Sequence, residues 1–437
     1  MTEIEANPGD QGRLTMGTYE SRGPHHARTK ESGSRRRRQW RRAPAPHWVR
    51  VALLVLTVLV SGACGSPSAA PGGSERNGVT EPVSQTDADS SAAGSSPAIA
   101  WEWTPPPPAN VGAPAVDEGG IVVTYGHQGM VALDLDGALL WEQRRVGLLD
   151  AAPTLAGDLV LAATESGVLA VDRSSGGIVW DSVVDERANP PAVVGGNALV
   201  STWDASVMAF NLSDGQVDWS LKLGGPALGP VSVGNGVAVV SWESENSSAA
   251  GVLAFDPSTG NEIWSRPLRR GGVSAPLVVQ PGSPSPSESA SLGTVVVVDA
   301  QIAAHGIELA TGEVRWSSPL GGAGPSQVAP VLLDTGEVLI THRRGGLALV
   351  DPSTGALRWA VTDDDAAVLR GGPAGPTPGG RFVLPLYDGT LMVVRDGLLD
   401  DIMDPPGRVT GVAVAGENLL VATRESGANA LYALDGM

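Results

Sequence analysis

An all-β ring of eight four-stranded blades, a β-propeller, is what this sequence predicts, and three observations predict it. First, one turn motif ending in tryptophan recurs. It is plainest in "DPSTGNEIW", Asp256 to Trp264, and "DPSTGALRW", Asp351 to Trp359. Trp141, Trp180, Trp219 and Trp316 close four further copies. In all six a glycine stands four residues before the Trp: Gly137, Gly176, Gly215, Gly260, Gly312 and Gly355. Second, successive tryptophans lie 39, 39, 45, 52 and 43 residues apart, and a β-rich period of about 40 is that of a propeller blade. Third, 57 Gly and 34 Pro in 437 residues, with aromatics only 4 %, favour many short strands and turns over long helices.

In chain order, the first segment lies outside the ring. Residues 1–63 carry eleven Lys/Arg against five Asp/Glu. "SRRRRQWRR", Ser34 to Arg42, precedes the apolar "VALLVLTVLVSGAC", Val51 to Cys64. Basic residues, an apolar core and small residues at its end make a secretory signal. The apolar run is about 13 residues, short of the about 20 that a membrane span needs. Ser61-Gly62-Ala63-Cys64 resembles the lipobox of bacterial lipoproteins, with Ser61 where an aliphatic residue is usual. That resemblance implies a lipidated Cys64 as the mature N-terminus and a membrane anchor. Plain secretion or an uncleaved anchor is the alternative. Cys64 is the one cysteine, so neither an internal disulfide nor a multi-cysteine metal site is possible.

Residues 64–98 are rich in Ser, Gly, Ala and Pro. Such a segment buries too little apolar surface to order itself, and it reads as a tether with a reach of roughly 30–35 Å. Beyond residue 63 the chain holds 18 basic and 42 acidic groups, or −24. That charge would repel nucleic acid.

The propeller itself is expected over 99–437. Blade 2 shows the plan: "AAPTLAG" as the inner strand, "DLVLAAT" as the second, "VLAVD" as the third and "IVWDSVV" as the outer. The Asp before the turn can accept from backbone N–H groups two residues on, and Gly takes a positive φ. The Trp is large enough to fill the wedge between blades, its N–H reaching a backbone oxygen. Blade 7 has Asp401 where the Trp should be, and the last unit, "LYALDGM", stops at its turn. "IAWEWTPPPP", from Ile99, has Trp residues but no preceding strands. The N-terminal strand is therefore expected to pair with the C-terminal blade and close the ring, which removes two sheet edges. Its Trp103 is then the first of seven docking tryptophans, with Trp141, Trp180, Trp219, Trp264, Trp316 and Trp359. Two insertions, Pro281 to Ser291 in blade 5 and Glu243 to Ala250 in blade 4, account for the long spacings.

The pattern Ala-x-Asp-x-x-(Thr)-Gly-x-x-x-Trp resembles the tryptophan-docking repeat of pyrroloquinoline-quinone-like β-propellers, across essentially all of 99–437. Blade 5 departs from it with Gly306 and Glu308, and blade 6 with Leu349. The resemblance implies one of two kinds of protein. Quinoprotein dehydrogenases carry a vicinal cysteine pair, a calcium ion and a catalytic Asp. Others are non-enzymatic envelope lipoproteins, such as the propeller subunit of the outer-membrane assembly machinery. With no cysteine after residue 64 and no acidic cluster at calcium-loop spacing, the second is expected, with no catalytic, cofactor or metal site. The acidic run Thr362 to Ala367 reads as a solvated loop. His127, His305 and His342 have no partner at ligand spacing and read as polar residues in turns.

Turns between second and third strands all emerge on one face. There the sequence places Tyr125, His127, Trp203, Trp242, His342, Arg343, Tyr387 and Arg424. Aromatics and Arg on an exposed rim are the residue types of protein-interface hot spots. The expected function is a membrane-anchored, extracytoplasmic binding or scaffold propeller with an envelope protein as partner. The alternatives are a quinone- or other cofactor-dependent enzyme in the funnel, and a cell-wall glycan binder or sensor.

Overall fold

The computed structural model describes residues 41–42 and 98–435, except 106–108, 150, 185–186, 269–273, 281–292, 300–302, 321–328, 334, 343–345, 362–376, 378–379, 387–388, 396–397, 406 and 425–428. Cys64, the tether up to residue 97, the blade 5 insertion and the run Thr362 to Ala367 lie outside the described residues.

Eight antiparallel sheets of four strands form the ring. Blade 1 runs Ala115–Asp117, Gly120–Tyr125, Gly129–Leu133 and Leu139–Arg144 from the axis outward. Its second and third strands are buried throughout, while the outer strand alternates. The cause is packing on both faces: a middle strand is covered by a blade on each side and becomes a continuous apolar run. An outer strand is covered less and keeps the period of two. The core is a set of inter-blade clusters. Between blades 4 and 5, for instance, Val239, Val252 and Trp264 meet Val295, Val297 and Ile307.

The turn chemistry follows the motif. Asp172 Oδ1 accepts from the N–H groups of Ser174 (3.1 Å) and Ser175 (2.9 Å). Asp256 accepts from Ser258 (2.8 Å) and Asp351 from Ser353 (2.9 Å) in the same way. These bonds, led by those from the Ser side chains, hold the three carboxyls below the usual carboxylate range. The glycines at the turn have φ of 70° to 84°, a conformation that a Cβ resists.

Each docking Trp lies across the glycine of the next blade's turn. Trp141 covers Gly176, Trp180 covers Gly215, Trp219 covers Gly260, Trp264 covers Gly312 and Trp316 covers Gly355. The indole N–H then donates to the carbonyl of the residue after the turn's acidic or Asn residue: Trp141 to Arg173 (2.7 Å), Trp180 to Leu212 (2.9 Å), Trp264 to Leu309 (2.8 Å), Trp316 to Pro352 (2.9 Å). The Trp359 side chain is outside the described ones.

Trp219 differs. Its buried Nε1 has no hydrogen-bond partner among the described residues, and its ring meets Phe255 edge-on at 5.8 Å. A buried bond of this kind is worth about 1 kcal/mol net. Trp180→Phe should therefore cost about 1 kcal/mol more in urea unfolding than Trp219→Phe, and equal costs would count against docking through the N–H.

Closure occurs as the sequence predicts, with one correction. The last blade comprises Arg408–Ala415, Asn418–Arg424, Leu431–Leu434 and, as its outer strand, Ile99–Trp103. The residue at the docking position is Trp101, not Trp103. Trp101 pairs with Ala433 beside a bulge, as Trp141 pairs with Ala132. It covers Gly137 and donates to the Leu135 carbonyl at 3.1 Å. Trp103 packs edge-on against Tyr125 at 6.0 Å instead. The cause is register: the bulge falls between Ile99 and Trp101, which aligns Trp101 with the other docking residues.

In blade 7, with strands Arg381–Pro385, Leu391–Arg395 and Leu398–Asp404, Asp401 occupies the docking position opposite Val393. A two-residue strand, Arg41–Arg42, pairs antiparallel outside it, opposite Asp404 and Met403.

Candidate functional site

Strand direction alternates four times per blade, so second-to-third turns and blade-to-blade connectors share one face. Among the described residues the most exposed large aromatic there is Trp203, 54 % accessible, on the second-to-third turn of blade 3. Its backbone N–H donates to the Arg187 carbonyl (3.2 Å) in the connector from blade 2. The Arg187 guanidinium carbon sits 5.0 Å from the indole centroid, a cation–π stack that holds both side chains flat on the surface.

The turn beneath is pinned by Asp204. It accepts from Ser206 Oγ (2.5 Å), from Thr202 Oγ1 and from Lys222 Nζ (3.0 Å). Burial pushes its carboxyl up, but those three donors outweigh it and the pKa lies below the usual value. Ala205, at φ 64°, completes the tight turn. Trp203 is thus presented by a rigid platform.

The other predicted face residues divide. His127, at φ 55° on the blade 1 turn, lies 3.8 Å from Glu165 on the blade 2 turn. Trp242 is half-buried over Gly224 and Gly251. Arg424 is half-buried at the end of its strand, opposite Arg408. Tyr125 is no rim residue: it is 2 % exposed, and its hydroxyl donates to Glu142 at 2.5 Å. Burial first, then that carboxylate, pushes its phenol up to about 12. The strand runs through Tyr125 and the turn begins only at Gly126, two residues later than the sequence suggests. His342 ends a strand opposite Gly346, but its side chain, Arg343 and Tyr387 lie outside the described residues.

Sequence reading missed Arg187, which no motif marks, since its partner Trp203 belongs to another blade. It also misplaced His305. That residue sits inside a strand, Ala303–Glu308, rather than in a turn, and its ring meets Asp299 and Ser317.

Among the described residues, no group of three His, Cys, Asp or Glu is arranged to hold a metal ion. The single cysteine precedes the ring, so no cysteine pair can line a quinone in it.

Comparison with known proteins gives the following. A family model described as outer membrane protein assembly factor BamB matches residues 92–189 and 164–437. No curated protein matches the sequence. The solved structures of similar fold include BamB from Moraxella catarrhalis, at 14 % identity, 78 % of this chain, 98 % of that one and a TM-score of 0.57. They also include a europium-containing methanol dehydrogenase (14 %, 75 %, 84 %, 0.60) and the computationally designed Ika8 protein (13 %, 75 %, 96 %, 0.56). At these identities the likeness is one of fold, and the fold serves an assembly factor, an enzyme and a design alike.

Proposed function

Since this chain belongs to the outer membrane protein assembly factor BamB family, we propose that it is an extracytoplasmic propeller, tethered to the membrane through Cys64, that binds an envelope protein. The face carrying Trp203 is its docking surface. The single observation that carries this reading is the exposed Trp203–Arg187 stack on its pinned turn. A large apolar ring held in place loses little entropy on binding, and Trp and Arg dominate measured interface energies. The leader, the lone cysteine before a Ser/Gly/Pro-rich segment and the acidic ring support the tethered, envelope location. A quinone-dependent dehydrogenase is disfavoured because the ring has no cysteine pair.

The test is photo-crosslinking in cells with the probe at Trp203 or Arg187, and at Glu417 as a control. Glu417 is exposed on a first-to-second turn, on the opposite face. A discrete protein adduct from the first two sites alone is the expected result. With the partner identified, Trp203→Ala should weaken binding about 30-fold, the scale of a hot-spot residue. Equal adducts from all three sites, or none, would refute the docking face.

A further inference from the structure

Blade 5 carries a hydrogen-bonded row that the ring does not require. Asp299 follows the strand Thr294–Val298 and is 2 % exposed. Its Oδ1 accepts from the Ala303 N–H (3.1 Å), which fixes the carboxylate. Its Oδ2 lies 3.1 Å from His305 Nε2. The other ring nitrogen, Nδ1, lies 2.8 Å from Ser317 Oγ.

Register explains how three distant residues meet. His305 stands opposite Val297 on one side and Ser317 on the other. Asp299, two residues beyond Val297, shares their face. That face looks toward blade 4, where Val297 packs beside Val239 and Val252. Accessibility rises along the row: the Asp299 side chain is 3 % exposed, His305 is 15 %, and Ser317 lies on the open outer strand Val314–Pro319.

The other blades show that folding does not demand this row. The equivalent position holds Val131, Leu169, Met208, Leu253, Ala348 and Met392 in six blades and Tyr432 in the last. Six of the seven are apolar and none is a histidine. A buried Asp–His pair is no gain over an apolar pair of the same volume, so stability does not account for it.

We infer that Ser317 is an activated nucleophile, with His305 as its base and Asp299 as the group that orients the base, competent for acyl transfer from small esters. An ionised carboxylate only accepts hydrogen bonds. Nε2 therefore carries the ring proton, and the Nδ1 lone pair is left for the Ser317 hydroxyl. In the first step Ser317 Oγ bonds to the ester carbonyl carbon and its proton passes to Nδ1. The carbon–alkoxide bond then breaks, and Nδ1 returns that proton to the departing alcohol. Water, deprotonated by Nδ1, attacks the acyl-serine carbonyl, the bond from that carbon to Oγ breaks, and Nδ1 returns the proton to Oγ, freeing the acid and restoring Ser317. Among the described residues the outer strand has a sheet neighbour on one side only. Alternate N–H groups of such an edge point outward and can meet the oxyanion.

The test uses the full chain and a fluorophosphonate probe, with peptide mapping by mass spectrometry. Ser220 and Ser265 are exposed serines at the equivalent outer-strand position without a histidine opposite, so they are internal controls. Ser317 should be labelled and they should not. His305→Gln should slow labelling by about 100-fold with an unchanged circular dichroism spectrum, and Ser317→Ala should abolish it along with p-nitrophenyl acetate hydrolysis. Since Ser317 is exposed, that variant retains the fold. Labelling of Ser317 no faster than of Ser220 and Ser265 would overturn the inference.

Discussion

Deleting Ile99–Trp103 should leave no cooperatively folded ring. The strand is the outer member of the last blade and is hydrogen-bonded along Leu431–Leu434. Its loss exposes that edge, and an open apolar edge invites pairing with another chain. It also removes Trp101 from Gly137 and Trp103 from Tyr125. Both rings are half-buried, so truncating either costs less than the about 3–5 kcal/mol of a fully buried aromatic, against a whole-domain stability of about 5–15 kcal/mol. With the ladder added, the loss approaches the entire stability. Size-exclusion chromatography and a thermal melt would decide it: aggregation and no sharp transition are expected. A monomer with an unshifted melt would mean that the ring closes elsewhere. Trp101→Ala should cost about 2–3 kcal/mol, below the range of a fully buried aromatic, and Trp103→Ala less, because only Trp101 covers a turn glycine and donates to its carbonyl partner.

Gly176→Ala should damage the ring well beyond the strain of its own turn. The backbone there has φ 70°, and a Cβ would stand 2.6 Å from the Trp141 ring. Gly195 is the control. It has φ 58° on a solvent-facing turn with nothing within 4 Å of an added Cβ. Both substitutions carry the left-handed backbone cost of about 1–2 kcal/mol. Only Gly176→Ala also lifts the indole and breaks its 2.7 Å bond to Arg173, adding about 2–3 kcal/mol by partial loss of a buried aromatic contact. Urea unfolding of the two variants isolates the docking contribution as their difference. Equal losses would mean that the glycine serves its own turn and not the neighbouring blade.

The motif behind both effects is written in the sequence. Asp, Gly and Trp at fixed offsets are a local code: the acidic side chain bonds its own turn, the glycine takes the positive φ, and the outer strand begins at a set distance. Every copy therefore reports the same local geometry, and six copies reveal the period and the blade count. Closure was legible too, because half a blade at one end of a chain must find its other half.

What the sequence could not settle was anything that depends on register between separated strands. Trp101 and Trp103 point to one face of the same strand, and both fit the repeat spacing to Trp141. The bulge at Ile99/Trp101 chose between them. Tyr125 looked like a turn residue until pairing with Gly129 placed it in the strand. Arg187 gained meaning only when the ring brought it over Trp203. Asp299, His305 and Ser317 match no motif by their spacing. Two cross-strand pairings put them in a row. Turn chemistry acts over a few residues and is written in the chain. Contacts across strands and blades are decided by hydrogen-bond register and packing, which exist only once the ring has formed.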